Sequence, residues 1–376
     1  MAGIYFHIPF CKQACHYCDF HFSTNTQTRN ELLRCMADEV RFQKEYLGQD
    51  QIRTIYFGGG TPSLLTSTEI NILLQPVHDL FIVDKDAEIT LEANPDDLTF
   101  EKLLEFKAQG INRLSIGIQS FQDKVLKFLN RAHDSVASID AVKCAREAGF
   151  NNISIDLIYA IPGQTDDEWM ANIRQALALQ PEHISAYSLT IEEKTAFGRW
   201  SAHGKLKAVD DDLAAKQLEI LVEELEKSGF EQYEISNFSK PGYQSKHNSS
   251  YWKQQQYLGI GPSAHSYNHT SRQYNISNNH IYTRSLQEGK IPFEIELLSS
   301  EDHVNEYLLT TLRTQWGSNL EKLKEEYGYD ILESHSEMIR ELISRKLASI
   351  ENNFLILTRS GRLLADKIIA DLFLVS

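Results

Sequence analysis

The sequence predicts an α/β protein with a partial (β/α)6 barrel and a smaller C-terminal helical domain that carries a short β-wing. Six segments rich in β-branched and aromatic residues alternate with segments of helical periodicity, as in right-handed βαβ units around a parallel sheet. Most of the strand segments end in Gly, Pro, Asn or Gln, which places the expected site at the carboxyl ends of the strands. From about residue 300 the alternation gives way to helical segments. Periodicity leaves a flat doubly wound sheet open as the alternative.

The elements of the barrel follow one another along the chain. The predicted strands are Ile4–Ile8, Ile52–Phe57, Ala87–Ala93, Arg113–Ile118, Asn152–Tyr159 and His183–Thr190. Hydrophobic spacing, and a capping box at Thr66–Glu69, predict the intervening helices Arg29–Leu47, 66 to about 81, Thr99–Gln109, Asp123–Leu129, Ser135–Ala148, Asp166–Leu179 and Asp211–Ser228.

The rest of the chain is predicted in three parts. Strand and loop pieces at Tyr233–Phe238 and Tyr257–Tyr267 complete a barrel over residues 1–267, and the polar segment Asn268–Asn279 opens a connector over 268–299. Residues 300–376 form the expected C-terminal domain. Its predicted elements are helices Glu301–Thr314, Asn319–Tyr327 and Glu333–Arg345, a strand Phe354–Leu357, and a last helix Arg359–Leu374.

Composition narrows the class of protein. Hydrophobic residues make up 42% and charged residues 24% of the 376 residues, as in an ordinary globular chain. The net charge of −15 argues against nucleic-acid binding, which needs clustered Lys and Arg. No run approaches the roughly 18 apolar residues of a membrane span, and we expect no secretory signal. Five unevenly placed cysteines do not support a disulfide framework, so we expect a cytoplasmic protein.

Cys11, Cys15 and Cys18 stand at C-x3-C-x2-C spacing directly after the first strand. Three thiolates at this spacing can hold three corners of a [4Fe–4S] cluster and leave the fourth iron open to another ligand. A structural zinc site would take four N or S ligands, usually in paired C-x2-C units, and no second pair follows. His16 lies between two of the thiolates, where it cannot easily reach the same metal.

This cysteine spacing resembles that of the radical S-adenosylmethionine (SAM) enzymes. In that family SAM binds the open iron, and an electron from the cluster cleaves its sulfonium bond. Gly58-Gly59-Gly60-Thr61-Pro62 after the second strand resembles the family's glycine motif, which implies contact of Gly59, Gly60 and Thr61 with the methionine end of SAM. Tyr17 matches the family's aromatic position, which contacts the adenine.

Four further blocks lie at strand ends, namely LEANPDD, SIGIQSF, LNRAH and IDLIYAIPG. Together with the block that begins at Tyr5, they resemble the anaerobic coproporphyrinogen III dehydrogenase group. The resemblance implies that Tyr5 and the four polar residues of these blocks contact SAM. Those residues are Glu92, Gln119, Arg131 and Asp156.

Three departures point instead to the paralogous heme chaperones of the HemW family. The dehydrogenases have a further cysteine where this chain has Phe20, and they have an N-terminal extension where this chain starts four residues before Tyr5. The third is His247-Asn-Ser-Ser-Tyr251-Trp252, which resembles the H-N-x-x-Y-W element assigned to heme binding in HemW. The resemblance implies an axial imidazole from His247, with His265 and His269 as reserve ligands, and porphyrin contacts from Tyr251 and Trp252.

The sequence thus predicts a heme chaperone that carries a [4Fe–4S] cluster and SAM and passes heme to acceptor heme proteins such as membrane-bound respiratory enzymes. Three alternatives stay open. They are an oxygen-independent coproporphyrinogen III dehydrogenase, a radical SAM enzyme with another substrate, and an iron–sulfur redox protein without SAM. The oligomeric state is open as well, with a dimer among the alternatives.

Overall fold

The computed structural model describes residues 1–374. Its strands are β1 (Ala2–Ile8), β2 (Ile52–Gly59), β3 (Val83–Ala93), β4 (Arg113–Gln119), β5 (Ile153–Tyr159), β6 (His183–Ser188), β7 (Glu231–Glu234), β8 (Asn237–Ser239), β9 (Tyr257–Ile260), β10 (His265–Tyr267), β11 (Ser271–Asn275), β12 (Phe293–Leu297), β13 (Ser318–Asn319), β14 (Ala348–Glu351) and β15 (Phe354–Leu357). Its helices are α1 (Arg29–Phe42), α2 (Ser67–Leu80), α3 (Phe100–Ala108), α4 (Asp123–Phe128), α5 (Ser135–Glu147), α6 (Asp166–Ala178), α7 (Ala196–Ala202), α8 (Asp211–Lys227), α9 (Lys246–Trp252), α10 (Asn279–Gln287), α11 (Ser300–Thr311), α12 (Leu320–Glu325), α13 (Ile331–Ser334), α14 (Ser336–Ser344), α15 (Arg359–Arg362) and α16 (Ala365–Asp371).

The order of the strands decides between the two predicted architectures. Strands β1 to β6 lie side by side in chain order and are all parallel. A doubly wound sheet reverses its strand order at a switch point, and no reversal occurs within β1–β6. The predicted (β/α)6 unit is therefore confirmed, and the doubly wound alternative is wrong.

The two faces of the parallel strands differ in chemistry because successive side chains point to opposite faces. On β1, Ile4 and Phe6 are fully buried and belong to the same apolar cluster as Met36 of α1, and Phe6 stacks on Phe57 of β2 at 4.9 Å. The alternate residue Tyr5 points to the other face, where its ring stacks on Tyr56. The helices thus cover an apolar outer face, while the inner face is polar.

The sheet extends beyond the six units on both sides. Strand β9 adds parallel to β1, and β10, β11 and β12 continue antiparallel from it, while β8 and β7 continue antiparallel from β6. The segment 268–299, for which the sequence predicts a connector, therefore contains two strands of the main sheet and a helix. Its alternation is short and interrupted by Asn and Ser, which is why it resembles a linker in sequence.

A second apolar cluster, separate from that of the barrel, forms within residues 304–372. The same part of the chain contains a three-stranded antiparallel sheet in the order β13–β15–β14. The β14–β15 hairpin turns at Asn352 and Asn353, whose φ angles are 50° and 69°, the left-handed conformation of a tight hairpin turn. Residues 375 and 376 of the expected C-terminal domain lie outside the described residues. No helix within 1–374 is long and apolar enough to cross a membrane.

Candidate functional site

A cavity of about 470 Å³ opens at the carboxyl ends of the parallel strands. Most of the residues that the sequence predicts to bind cofactors line this cavity. They are Cys11, Cys15, Cys18, Tyr17, Gly59, Gly60, Thr61, Glu92, Gln119, Arg131 and Asp156. These residues come from six different parts of the chain. The parallel sheet brings them together because the carboxyl ends of its strands lie at the same edge.

The cysteine loop follows β1 and is fixed at both ends by backbone hydrogen bonds. The Cys11 amide donates to Ser23 O at 3.1 Å, and the Ser23 amide donates back to Pro9 O at 2.9 Å. Cys11, Cys15 and Cys18 are free thiols that are half-buried. Thr61 Oγ1 donates to Cys11 Sγ at 3.3 Å, and Arg131 Nη1 donates to Cys15 Sγ at 3.4 Å. Two of the three sulfurs thus have a side-chain donor suited to a thiolate.

Two of the loop thiols, Cys18 and Cys11, hold their protons more tightly than an exposed thiol does. Burial raises the pKa of Cys18 to about 11 and also raises that of Cys11, and the other loop thiols add to both effects. Bound iron displaces such protons. No three His, Cys, Asp or Glu side chains among residues 1–374 converge closely enough for a single metal ion. A [4Fe–4S] cluster needs no such convergence, since each thiolate binds a different iron. The donor set therefore fits a cluster.

The glycine run at the end of β2 packs tightly against β1 and the cysteine loop. The amides of Gly60 and Thr61 donate to Ile8 O and Phe10 O at 2.9 and 2.8 Å. A Cβ on Gly59, whose φ is +102°, would lie 2.7 Å from the His7 ring. A Cβ on Gly60 would lie 2.7 Å from Ile8 O. Only glycine lets the backbone enter this space.

Two carboxylates, Glu92 and Asp156, lie deep in the cavity. Tyr56 OH and the Gly59 amide donate to Glu92 at 2.8 and 3.2 Å, and the Ser115 hydroxyl donates to Asp156 at 3.1 Å. Burial, together with the charge of Asp156, raises the pKa of Glu92 to about 7. Burial likewise raises the pKa of Asp156. Acceptors of this kind suit the hydroxyl or ammonium groups of a ligand.

Arg131 is largely committed to the cavity wall. Its Nη2 donates to Asn94 Oδ1 at 2.5 Å and to Gly117 O at 2.7 Å, and its Nη1 also contacts Tyr17 OH at 3.3 Å. Among the described residues its Nε has no partner. Both terminal nitrogens of the guanidinium are therefore already engaged by protein groups. Nearby Gln119 has a left-handed φ of 67°, a strained conformation that turns the chain at the cavity rim.

Several polar residues of the inner face were not among the sequence predictions. Tyr56, Asn94 and Ser115 line the cavity. Arg113 lies buried below it at 1% exposure, and its Nε has no partner within residues 1–374. Its positive charge lowers the pKa of both Glu92 and Asp156. Alternation along each strand was the available signal, since Arg113, Ser115 and Gly117 occupy every second position of β4.

The His247 motif lies elsewhere, on α9, which closes the amino end of the barrel. The Lys246 and His247 amides donate to the Glu88 carboxylate at 3.2 and 3.1 Å, so a buried carboxylate on β3 holds the start of α9. Asn248 alone of the motif's residues reaches the cavity lining. Tyr5 lies between the cavity and the His247 motif. Its OH is 3.2 Å from His7 Nδ1, and its ring centroid is 6.3 Å from that of His247.

His247, for which the resemblance implies an axial ligand, lies buried with both ring nitrogens engaged by protein groups. The side chain is 1% exposed. Its Nδ1 pairs with Thr54 Oγ1 and its Nε2 with Tyr251 OH, both at 2.8 Å, and its ring stacks on Tyr56 at 4.9 Å. Burial lowers its pKa to about 3. An axial bond to iron would break one of two buried hydrogen bonds.

Tyr251 is committed to the same network, and Trp252 is half-buried beside it. The Tyr251 ring meets that of Tyr257 edge-on at 4.6 Å. The Trp252 indole nitrogen is buried without a partner among the described residues. The sequence does not reveal that these side chains are buried. A His and a Tyr four residues apart on a helix can either bind a ligand or hydrogen-bond to each other inside the protein.

Comparison with known proteins identifies the family. Residues 5–176 match the radical SAM superfamily and residues 298–364 match the HemN C-terminal domain. The chain is 35% identical to the heme chaperone HemW of Bacillus subtilis over 371 residues, 98% of each protein. It is 36% identical to that of Lactococcus lactis over 95% of this chain and 93% of that one. The chain belongs to the heme chaperone HemW family. Membership in the radical SAM superfamily implies a [4Fe–4S] cluster and SAM.

The architecture agrees with a solved relative of HemW. Coproporphyrinogen III oxidase (HemN) from Escherichia coli superposes with a TM-score of 0.85, covering 99% of this chain and 90% of that one at 22% identity. At this identity the likeness establishes the fold alone. The residue that separates the two patterns, Phe20, lies at the cavity rim with 69% of its surface exposed. Its amide donates to the Cys18 sulfur, while its side chain offers no further thiolate.

Proposed function

We propose that this protein is a heme chaperone that binds heme and delivers it to acceptor heme proteins, including membrane-bound respiratory enzymes. The observation that carries the proposal is the match to HemW proteins over almost the whole chain. Phe20 supports it, because a fourth cysteine of the dehydrogenase pattern is missing at the cavity rim. We place the heme exchange in the cytoplasm, because the five unevenly placed cysteines do not support a disulfide framework and so favour a reducing compartment.

In this proposal Cys11, Cys15 and Cys18 hold the cluster, which supplies an open iron and an electron when bound. Thr61 and Arg131 stabilise two of the cysteine sulfurs through the hydrogen bonds described above. The backbone of Gly59 and Gly60 approaches the methionine end of SAM closely because no Cβ intervenes.

The remaining cavity residues orient the rest of SAM. Tyr17 borders the adenine. Glu92, Gln119 and Asp156 accept hydrogen bonds from the hydroxyl and ammonium groups of SAM, and Tyr5 supports Glu92 from below through its contact with Tyr56. Arg131 acts mainly by fixing the cavity wall, since its guanidinium already bonds Asn94, Gly117 and Cys15.

The His247 motif has a positioning role in this proposal. His247 links α9 to β2 through its hydrogen bond with Thr54, and Tyr251 holds the other side of the imidazole. Asn248, on the same helix, lines the cavity. The motif therefore joins the SAM cavity to the amino end of the barrel. A displacement of α9 would therefore alter both the cavity wall at Asn248 and the packing at the amino end of the barrel.

The experiment is an anaerobic heme titration and transfer assay on protein with a reconstituted cluster. We expect stoichiometric heme binding and transfer of that heme to a heme-depleted respiratory enzyme in vesicles. In parallel, incubation with coproporphyrinogen III, SAM and an electron donor should yield no protoporphyrinogen. Absence of heme binding, or efficient formation of protoporphyrinogen, would contradict the proposal, and the latter would favour the dehydrogenase.

A further inference from the structure

The main sheet has two edges, and within residues 1–374 they differ in what covers them. At the β7 edge the chain that enters the C-terminal sheet adds a backbone contact, because the Gln315 amide donates to Tyr233 O at 3.0 Å. At the opposite edge β12 pairs with β11 alone. Every residue of β12 is exposed. The β12 edge is therefore open to a further strand.

The backbone of β12 directs donors and acceptors away from the sheet. The Leu298 amide, directly after the strand, donates to Thr270 O at 3.1 Å. Residues alternate along an antiparallel ladder, so the even-numbered residues of β12 bond to β11 and the odd-numbered residues face outward. The N–H and C=O groups of Ile295 and Leu297 thus point to the side where no strand lies within residues 1–374.

The side chains of β12 alternate between apolar and acidic. Phe293, Ile295 and Leu297 lie on one face, with exposures of 41%, 58% and 77% that rise along the strand. Glu294 and Glu296 lie on the other face, because successive side chains point to opposite sides. The edge therefore presents an incoming strand with an apolar stripe on one face and two carboxylates on the other.

The two carboxylates have no ion-pair partner within residues 1–374. Tyr274 OH donates to Glu294 at 3.0 Å. Arg272 lies opposite Glu296 in the ladder, but it forms its ion pair with Glu306 at 2.8 Å. Because opposite charges across a strand pair stabilise it, a strand with Lys or Arg on this face would complement β12.

A second copy of this chain does not complement the same edge. A twofold antiparallel pair centred on Ile295 would place Glu294 opposite Glu296 of the second copy, and a pair centred on either glutamate would place that residue opposite itself. Like charges directly opposite destabilise a strand pair. A pair centred between two residues would place glutamates opposite apolar side chains, which loses the match on both faces. The glutamates thus disfavour self-association through β12.

We infer that the β12 edge binds an extended segment of a partner protein in which apolar residues alternate with Lys or Arg. The segment adds a strand to the twelve-stranded main sheet. Its backbone bonds to Ile295 and Leu297, its apolar residues continue the stripe, and its cations face Glu294 and Glu296. The inference is independent of the proposed chaperone function, because no residue of β12 lines the cavity at the carboxyl ends of the strands.

The test is a binding assay of the full chain with dye-labelled peptides of strand length, followed by fluorescence anisotropy at low ionic strength. One peptide alternates Lys and Val, a second has the same composition in two blocks, and a third alternates Glu and Val. The wild type should bind the first peptide at least about tenfold more tightly than either of the others. Hydrogen exchange of the Ile295 and Leu297 amides should slow in the complex.

Two variants link this binding to the edge. Ile295→Pro removes an outward N–H and no bond to β11, so it should weaken binding of the Lys/Val peptide by at least about tenfold. Glu294→Lys/Glu296→Lys should reverse the preference, so that the Glu/Val peptide binds more tightly. Glu321→Lys/Glu325→Lys makes the same change of charge at exposed positions of α12. It is the matched control and should keep the wild-type preference.

Four results would overturn the inference. The first is a wild type that does not bind the Lys/Val peptide, and the second is equal binding of the block peptide, which indicates non-specific attraction to an acidic protein. The third is an unchanged preference in Glu294→Lys/Glu296→Lys, a variant that keeps the test decisive if Ile295→Pro does not fold. The fourth is a dimer in sedimentation that Ile295→Pro dissociates, which would assign the edge to a second copy.

Discussion

The two ends of the barrel have the same kinds of residues and opposite accessibility. At the carboxyl end, the cysteines, Glu92 and Arg131 surround an open cavity of about 470 Å³. At the amino end, His247, Thr54, Tyr251 and Glu88 bond to one another beneath α9. The first set borders open space, whereas the second is covered by α9 and has satisfied its polar atoms internally. A polar cluster in a sequence therefore does not by itself indicate a binding site, because it can equally close one.

The strongest test of this contrast is removal of a cluster ligand. Cys11→Ala should reduce reconstituted iron from about four atoms per chain to a small fraction, since a [4Fe–4S] cluster on three protein ligands cannot spare one. Iron and sulfide analysis measures this. Cys144→Ala, at a half-buried cysteine on α5, is the control and should load normally. Full loading of Cys11→Ala would mean that the loop is not the cluster site.

At the closed end, His247→Ala should destabilise the fold. The change leaves Thr54 and Tyr251 without buried partners and opens a cavity, a cost of about 3–5 kcal/mol. Urea denaturation measures the free energy of unfolding. His265→Ala, whose ring is exposed, should stay within about 0.5 kcal/mol of the wild type. If His247→Ala is as stable as His265→Ala, the amino end is not the closed structural layer described here.

The two ends should show opposite pH dependences, because the lowered pKa of His247 makes its contribution to stability rise with pH up to about 6.5. Because the pKa of Glu92 is raised to about 7 in the folded protein, the folded state binds a proton that the unfolded chain has already released above about pH 4.3. The contribution of Glu92 to stability should therefore be full below about pH 4.3, fall as pH rises towards 7, and level off above it, by up to about 3 kcal/mol.

Glu92→Gln mimics the protonated carboxyl and should flatten this decline between pH 5 and 8 in urea denaturation. Glu39, a buried carboxyl on α1 whose pKa burial also raises to about 7, should leave part of the slope in place. An unchanged slope in Glu92→Gln would show that Glu92 is ionised throughout this range.

The smallest predicted change in stability comes from a substitution at Gly59, where the backbone of β2 passes close to β1. Gly59→Ala meets both a left-handed φ and the His7 ring at 2.7 Å, whereas Gly163→Ala meets a left-handed φ of +82° with no atom within 4 Å. The backbone cost, about 1–2 kcal/mol, is common to both. Gly59→Ala should therefore be less stable than Gly163→Ala by about 1 kcal/mol. Equal stabilities would show that the His7 ring moves aside freely.

The sequence by itself determined the parallel barrel units and the cluster loop. Periodicity of hydrophobic residues is a local property, and so are the spacing of Cys11, Cys15 and Cys18 and the capping box at Thr66, which the structure confirms. The glycine run is also readable, because a backbone that must pass His7 and Ile8 closely excludes a Cβ. These features depend on neighbours in the chain or on steric rules that hold anywhere.

Only the tertiary structure decided which polar residues face an opening and which face each other. His247 and Glu92 are both polar residues predicted to bind a cofactor, yet α9 seals the first and the strand ends expose the second. Residues 268–299 join the main sheet through the neighbouring β10 and β9, and β9 in turn pairs with β1, which is distant in sequence, a pairing that local pattern does not encode.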